Sequence, residues 1–107
     1  MALTRDFKQT VVERVKRDPE FANALLDEAA TLFLTGEPDA ARVILRDLVN
    51  ATVGFERLAE TIHRPSKSLH RMLSVNGNPS MDNLAAIFSA VRDWLNVNFD
   101  VRVVKAA

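Results

Sequence analysis

Apolar residues recur every three or four positions through most of this chain, and the recurrence is broken at points that read as helix ends. Phe7, Val11 and Val15 repeat every four residues, with Thr4 placed to cap and Lys8, Glu13, Arg14, Lys16 and Arg17 turned outward. Asp18-Pro19-Glu20 restarts the chain: aspartate caps, proline fits the first helical position, and glutamate suits the positive end of the helix dipole. Ala22, Leu25, Leu26, Ala29, Leu32 and Phe33 then make one apolar face, and Gly36 is suited to the left-handed residue that ends a helix. Pro38 and Asp39 repeat the start signal ahead of Ala41, Ile44, Leu45 and Leu48, which predicts three helices by residue 53.

Beyond Gly54 the elements shorten. Phe55, Leu58, Ala59 and Ile62 share the face of a helix of about two turns, which Arg64-Pro65 interrupts because the residue before proline is pushed from helical angles. Pro65 is suited to begin a further short helix, with Ser66 and Ser68 near its start and Leu69, Met72 and Leu73 apolar. A turn-forming stretch, Asn76-Gly77-Asn78-Pro79, separates it from a longer helix capped by Ser80, with Asp82 in its first turn and Leu84, Ile87, Phe88, Val91 and Leu95 inward. Met81 and Trp94 are expected to fill core beside Phe88, or in Trp94's case to lie at a dimer contact.

The tail changes period. Val97, Phe99, Val101 and Val103 alternate with Asn98, Asp100, Arg102 and Val104, the two-residue repeat of a half-buried strand. A lone strand leaves backbone donors and acceptors without partners, so it is expected to pair with another chain, most simply its twin across a two-fold axis. The alternative is an extended tail laid on its own helices.

Length and composition bound the functional classes. At 107 residues, 48% of them apolar, the chain is expected to form one mainly all-α domain: N-terminal helices over 1–53, the short pair and core helix over 54–95, and the strand over 96–107. No cysteine is present, which removes disulfides, thiolate metal sites and thiol nucleophiles. The longest unbroken apolar run, Leu84 to Phe88, is five residues, and the N-terminus has no stretch resembling a secretory signal; a soluble, cytoplasmic protein without membrane association is expected. His63 and His70 have no cysteine or close carboxylate to complete a metal shell and no accompanying nucleophile, and no glycine-rich phosphate loop occurs. Neither a metal, a cofactor nor an enzymatic activity is therefore expected.

Lysine plus arginine equals aspartate plus glutamate, 14 each, but the distribution is uneven. Residues 1–53 carry 7 basic and 9 acidic side chains, and residues 54–107 carry 7 and 5. Between Glu60 and Asp82 there is no acidic residue, while Arg64, Lys67, Arg71, His63 and His70 all fall there. Such a window is either an ordinary solvated face or the footprint of a polyanion.

The stretch FERLAETIHRPSKSLHRML has the spacing of a helix-turn-helix, with small Ala59 where the helices would touch and Leu58, Ile62, Leu69 and Met72 as anchors. Ser66, Lys67, Ser68, His70 and Arg71 are then left outward, a donor-rich set without carboxylates, suited to phosphates and to acceptor edges in a major groove. From Phe55 to Val91, including Pro79-Ser80-Met81-Asp82-Asn83-Leu84, the sequence resembles the Xre group of helix-turn-helix regulators, which includes the phage Cro and repressor proteins. LTRDF, LRDLVNATVGFERLA, PSKSL and GNPSMDNL extend the likeness to the HigA-like addiction-module antidote proteins. The resemblance implies a lambda-repressor-like helical domain with extra N-terminal helices, acting as a homodimeric repressor on an inverted-repeat operator in double-stranded DNA. It puts the groove-facing positions at Ser66, Lys67 and Arg71, with Ser68 and His70 assisting, and backbone contacts at Asn76 and Asn78; Arg64, in the same basic window, is expected to add a phosphate contact. Two positions depart from the family pattern: Phe55 stands where a phosphate-binding glutamine is common, and His63 where the turn usually has glycine. A toxin partner is implied by the antidote likeness, and a protein-binding module without specific DNA binding is the competing reading.

Overall fold

A computed structural model describes the backbone of residues 2–107 and the side chains from Gln9 onward. Six helices are formed among these residues: α1 (Ala2–Arg17), α2 (Pro19–Leu34), α3 (Pro38–Ala51), α4 (Phe55–Ile62), α5 (Ser66–Met72) and α6 (Met81–Leu95). The helix expected to start near Thr4 begins at Ala2; the side chains of Thr4 and Phe7 lie outside the described residues. The joint to α2 is made as its residue types dictate. Asp18 takes an extended conformation and its carboxylate accepts from the amides of Glu20 (3.2 Å) and Phe21 (3.4 Å), with Pro19 at the first helical position. Arg14 reaches forward to both ends of this joint, 3.8 Å from the Asp18 carboxylate and 4.6 Å above the Phe21 ring. Gly36 closes α2 at φ 89°, as its position suggested.

α3 starts at Pro38 without a side-chain cap, since Glu37 makes none, and Asp39 instead pairs with Arg42 at 2.6 Å. Its C-terminus is closed by the Thr52 hydroxyl, which donates to the Leu48 carbonyl at 2.7 Å. α6 begins as the sequence indicates, the Ser80 hydroxyl accepting from the Asn83 amide at 3.1 Å, and ends in a left-handed Asn96.

The core is one cluster to which all six helices contribute. Leu45 and Leu48 of α3, Leu58 of α4, Leu69 of α5, Leu73 just beyond it and Ile87 and Val91 of α6 are fully buried. α2 and α3 pack along each other, α1 lies against both, and α6 spans from α2 to α4. The two short helices therefore rest on α6 and α3, with α5 seated on α4. Met81 and Trp94 do not join this core. They are 77% and 46% exposed, Met81 because it stands at the first position of α6, and Trp94 because it lies a turn past Val91, where Arg57 covers its ring at 5.2 Å.

Residues 97–107 are neither helical nor part of a strand ladder. The tail begins against the body, with Val97 packed on the core and Phe99 edge-on to Phe88 at 6.0 Å, and its apolar residues grow more exposed from Phe99 to Val103. The expected strand thus has no pairing partner within the described residues.

Candidate nucleic-acid interface

α4 and α5 are held at their angle by a three-residue connection. His63 takes the left-handed conformation (φ 57°, ψ 48°), and the amides of His63 and Arg64 both turn back to the Ala59 carbonyl, the latter at 3.2 Å. Pro65 follows in an extended conformation and stands just before α5 rather than inside it, so the helix starts at Ser66. The left-handed residue expected as a glycine is here a histidine, which visits these angles more readily than most side chains. Its own side chain is exposed.

α5 is anchored by its inner positions. Leu69 and Leu73 are fully buried, and Met72 is half-buried against the core. A seven-residue helix with this inner face turns Lys67, His70 and Arg71 to solvent, while Ser66 and Ser68 lie at its half-buried shoulders. Among the described residues, Lys67 and Arg71 make no side-chain hydrogen bond and no ion pair. Both cations are therefore uncommitted. His70 is not free in the same way. Its imidazole stacks on the Phe55 ring, centroids 3.9 Å apart and planes at 20°, and so ties the outer face of α5 to the start of α4. Phe55 is 6% exposed and is built as core, which accounts for an aromatic ring at that position.

Arg64 stands apart from α5. Its Nε donates to Asn83 Oδ1 at 3.2 Å and its Nη1 to the His63 carbonyl at 3.2 Å, so the guanidinium is fastened between the turn and the first turn of α6. Asn76 and Asn78 are exposed on the loop that follows α5. That loop is pressed close to the helix it leaves. A Cβ at Gly77 would run into the carbonyl oxygens of Met72 and Arg71, and Arg42 of α3 donates to the Val75 carbonyl at 3.4 Å. Asn78 and Pro79 line a small apolar cavity of about 80 Å³ with Phe33 and Leu84, turning this side of the loop toward the body.

Arg64, Lys67, His70, Arg71, Asn76 and Asn78 are thus all exposed, and Ser66 and Ser68 half-exposed. Phe55, Asn83 and Arg42 were not singled out from sequence as site residues, though Phe55 and Asn83 each fix one that was and Arg42 ties down the loop that carries Asn76 and Asn78. No local signal announces them, because Arg64 and Asn83 are 19 residues apart and Arg42 and Val75 are 33. Chemically the surface offers hydrogen-bond donors on a rigid support. It has no paired carboxylates, and among the described residues no group of three metal-ligating side chains gathers. Among the described residues no helix is long and apolar enough to cross a membrane. Compared with family models, curated proteins and solved structures, the chain matches none.

Proposed function

We propose that this chain is a sequence-specific DNA-binding regulator, a repressor whose α4 and α5 act as the two helices of a helix-turn-helix in a lambda-repressor-like fold. The observation that carries the reading is the outer face of α5. Lys67 and Arg71 project from a helix anchored by Leu69 and Leu73, have no protein partner among the described residues, and lie in a stretch free of acidic residues from 61 to 81. A duplex supplies what such a face lacks, phosphates for the cations and acceptor edges of guanine for a guanidinium.

In the complex, α5 lies in the major groove with Ser66, Lys67 and Arg71 toward the bases and Ser68 and His70 at its margins. Arg64, braced by Asn83, and the Asn76–Asn78 loop contact the sugar–phosphate backbone and set register. Two such chains, joined through their C-terminal segments, would reach successive major grooves roughly 34 Å apart and read an inverted repeat. Occupied promoter DNA then excludes transcription, in the cytoplasm and without a cofactor. Selection from a random duplex pool tests the reading. Arg71→Ala should relax preference at one base position per half-site, an effect of roughly 1–3 kcal/mol. An unchanged preference removes Arg71 from the reading set, and no enrichment by the parent chain removes the function.

A second reading, a protein-binding antidote that neutralises a toxin, draws on a different observation. Val11, Phe21, Leu25, Val43 and Ile44 of α1–α3 line an open apolar cleft of about 420 Å³, within the half of the chain that carries the acidic excess. Co-expression with the neighbouring reading frame decides it: a co-purifying toxin supports an antidote, and two separately eluting proteins oppose it.

A further inference from the structure

The C-terminal segment leaves the body in a graded way. Phe99 is 37% exposed, Val101 67% and Val103 100%, although the alternation gives all three the apolar face of a strand. Among the described residues, no backbone hydrogen bond joins residues 98–107 to any other part of the chain. A chain that exposes both an apolar face and two unpaired backbone edges is incomplete alone. One of those edges borders a defined space. All seven residues from Val97 to Val103 line an open channel of about 880 Å³ whose other wall is α2, where Leu26, Ala30 and the 63% exposed Leu34 face it. Consecutive residues line it, so the backbone edge, and not one row of side chains, fronts the channel.

We infer that Phe99-Asp100-Val101-Arg102-Val103 pairs with the same five residues of a second copy, antiparallel and with Val101 opposite itself. This rests on the homodimer of the proposed function and specifies its contact. Side chains alternate faces along a strand, so a two-fold axis normal to the ribbon sets a residue opposite itself at the centre and like-faced residues on either side. Three neighbouring registers satisfy this, centred on Asp100, Val101 or Arg102. The first opposes two carboxylates and the third two guanidinium groups, and like charges directly opposite are destabilising. The central register sets Asp100 opposite Arg102 of the second copy, twice by symmetry, and Phe99 opposite Val103, so both faces are self-complementary. Asp100 and Arg102 already pair within one chain at 3.0 Å on one side of the tail, exposed and free to add a partner across the ribbon. In the resulting order each second-copy strand lies between the tail and α2, over Leu34, and a two-stranded ribbon is held between two α2 helices.

Single cysteines in this cysteine-free chain read the register directly. Directly opposed residues have Cα atoms ~4.5–5.5 Å apart, within reach of a disulfide, whereas residues one diagonal away are ~7–8 Å apart. Val101→Cys should therefore cross-link under oxidised glutathione at least about ten-fold faster than Asp100→Cys or Arg102→Cys, with helical content unchanged by circular dichroism. Arg102→Asp should weaken the dimer in sedimentation, and the double reversal D100R/R102D should restore it. Fastest cross-linking at 100 or 102, equal rates at all three, or a double reversal no better than the single one overturns the register and leaves the dimer standing. A parent chain that is monomeric at all concentrations overturns this pairing and the dimer together, while DNA recognition by α5 is judged separately by the duplex selection.

Discussion

Replacing His63 by glycine should stabilise the protein, because His63 is held left-handed at φ 57° between α4 and α5. For an ordinary L-residue that conformation costs roughly 1–2 kcal/mol, and histidine sits toward the tolerant end. Glycine removes the cost but gives the unfolded chain more freedom, a loss of roughly 0.5–1 kcal/mol. The exposed His63 side chain makes no hydrogen bond or ion pair among the described residues, and the two amide bonds to the Ala59 carbonyl are backbone interactions that glycine retains. The net gain should be about 0.5 kcal/mol, or about 2–4 °C in Tm for a domain of this size. His63→Val supplies the opposite sign, since a β-branched residue tolerates these angles worst, and should lose at least about 1 kcal/mol. Urea unfolding followed by circular dichroism, with unchanged m-values, measures both. A glycine variant no more stable than the parent, or a valine variant equal to it, would refute the reasoning about the turn.

Three further substitutions probe what holds α5 in place. Phe55→Gln should cost about 3 kcal/mol, since it removes a buried ring and leaves an amide in apolar surroundings; His70→Ala, which removes only the stacked partner, should cost about 0.5–1.5 kcal/mol in the same urea assay. Gly77→Ala should lower the urea midpoint by an amount equivalent to about 1–3 kcal/mol, because the added methyl meets two carbonyl oxygens of α5, and an unchanged midpoint would show that the loop yields.

Helix boundaries set by local chemistry were legible in the sequence. Asp18-Pro19 and Ser80 cap as their residue types require, because a cap involves amides only two or three residues away. The periodicity likewise identified Leu45, Leu48, Leu58, Leu69 and Ile87 as core. It failed at Met81, which lies at the rim of the bundle where no neighbour covers it fully; Trp94, expected in the core or at a dimer contact, is not core. Exposure of Lys67 and Arg71 followed from the same wheel, but the contacts that orient the site did not. The Phe55–His70 stack, the Arg64–Asn83 bond and the Arg42 bond to the Val75 loop each join residues brought together by the tertiary arrangement. The tail shows a third situation: the alternation predicts a strand, yet among the described residues no other backbone edge pairs with it, so the pattern alone could not fix its structure.

Affinity for random duplex DNA across a salt series tests the central claim most directly, comparing the parent chain with Lys67→Ala and Arg71→Ala. With no net charge on the whole protein, binding has to come from the local face of α5 and its flanks. Affinity of the parent should fall steeply, with a slope of about −0.9 in log–log terms for each phosphate neutralised; on random duplex, where no matched bases are offered, Lys67 and Arg71 pair with phosphates instead, so each substitution should make the slope shallower by about one. A weak, flat response in the parent, or slopes unaltered by either substitution, would contradict DNA recognition by this helix.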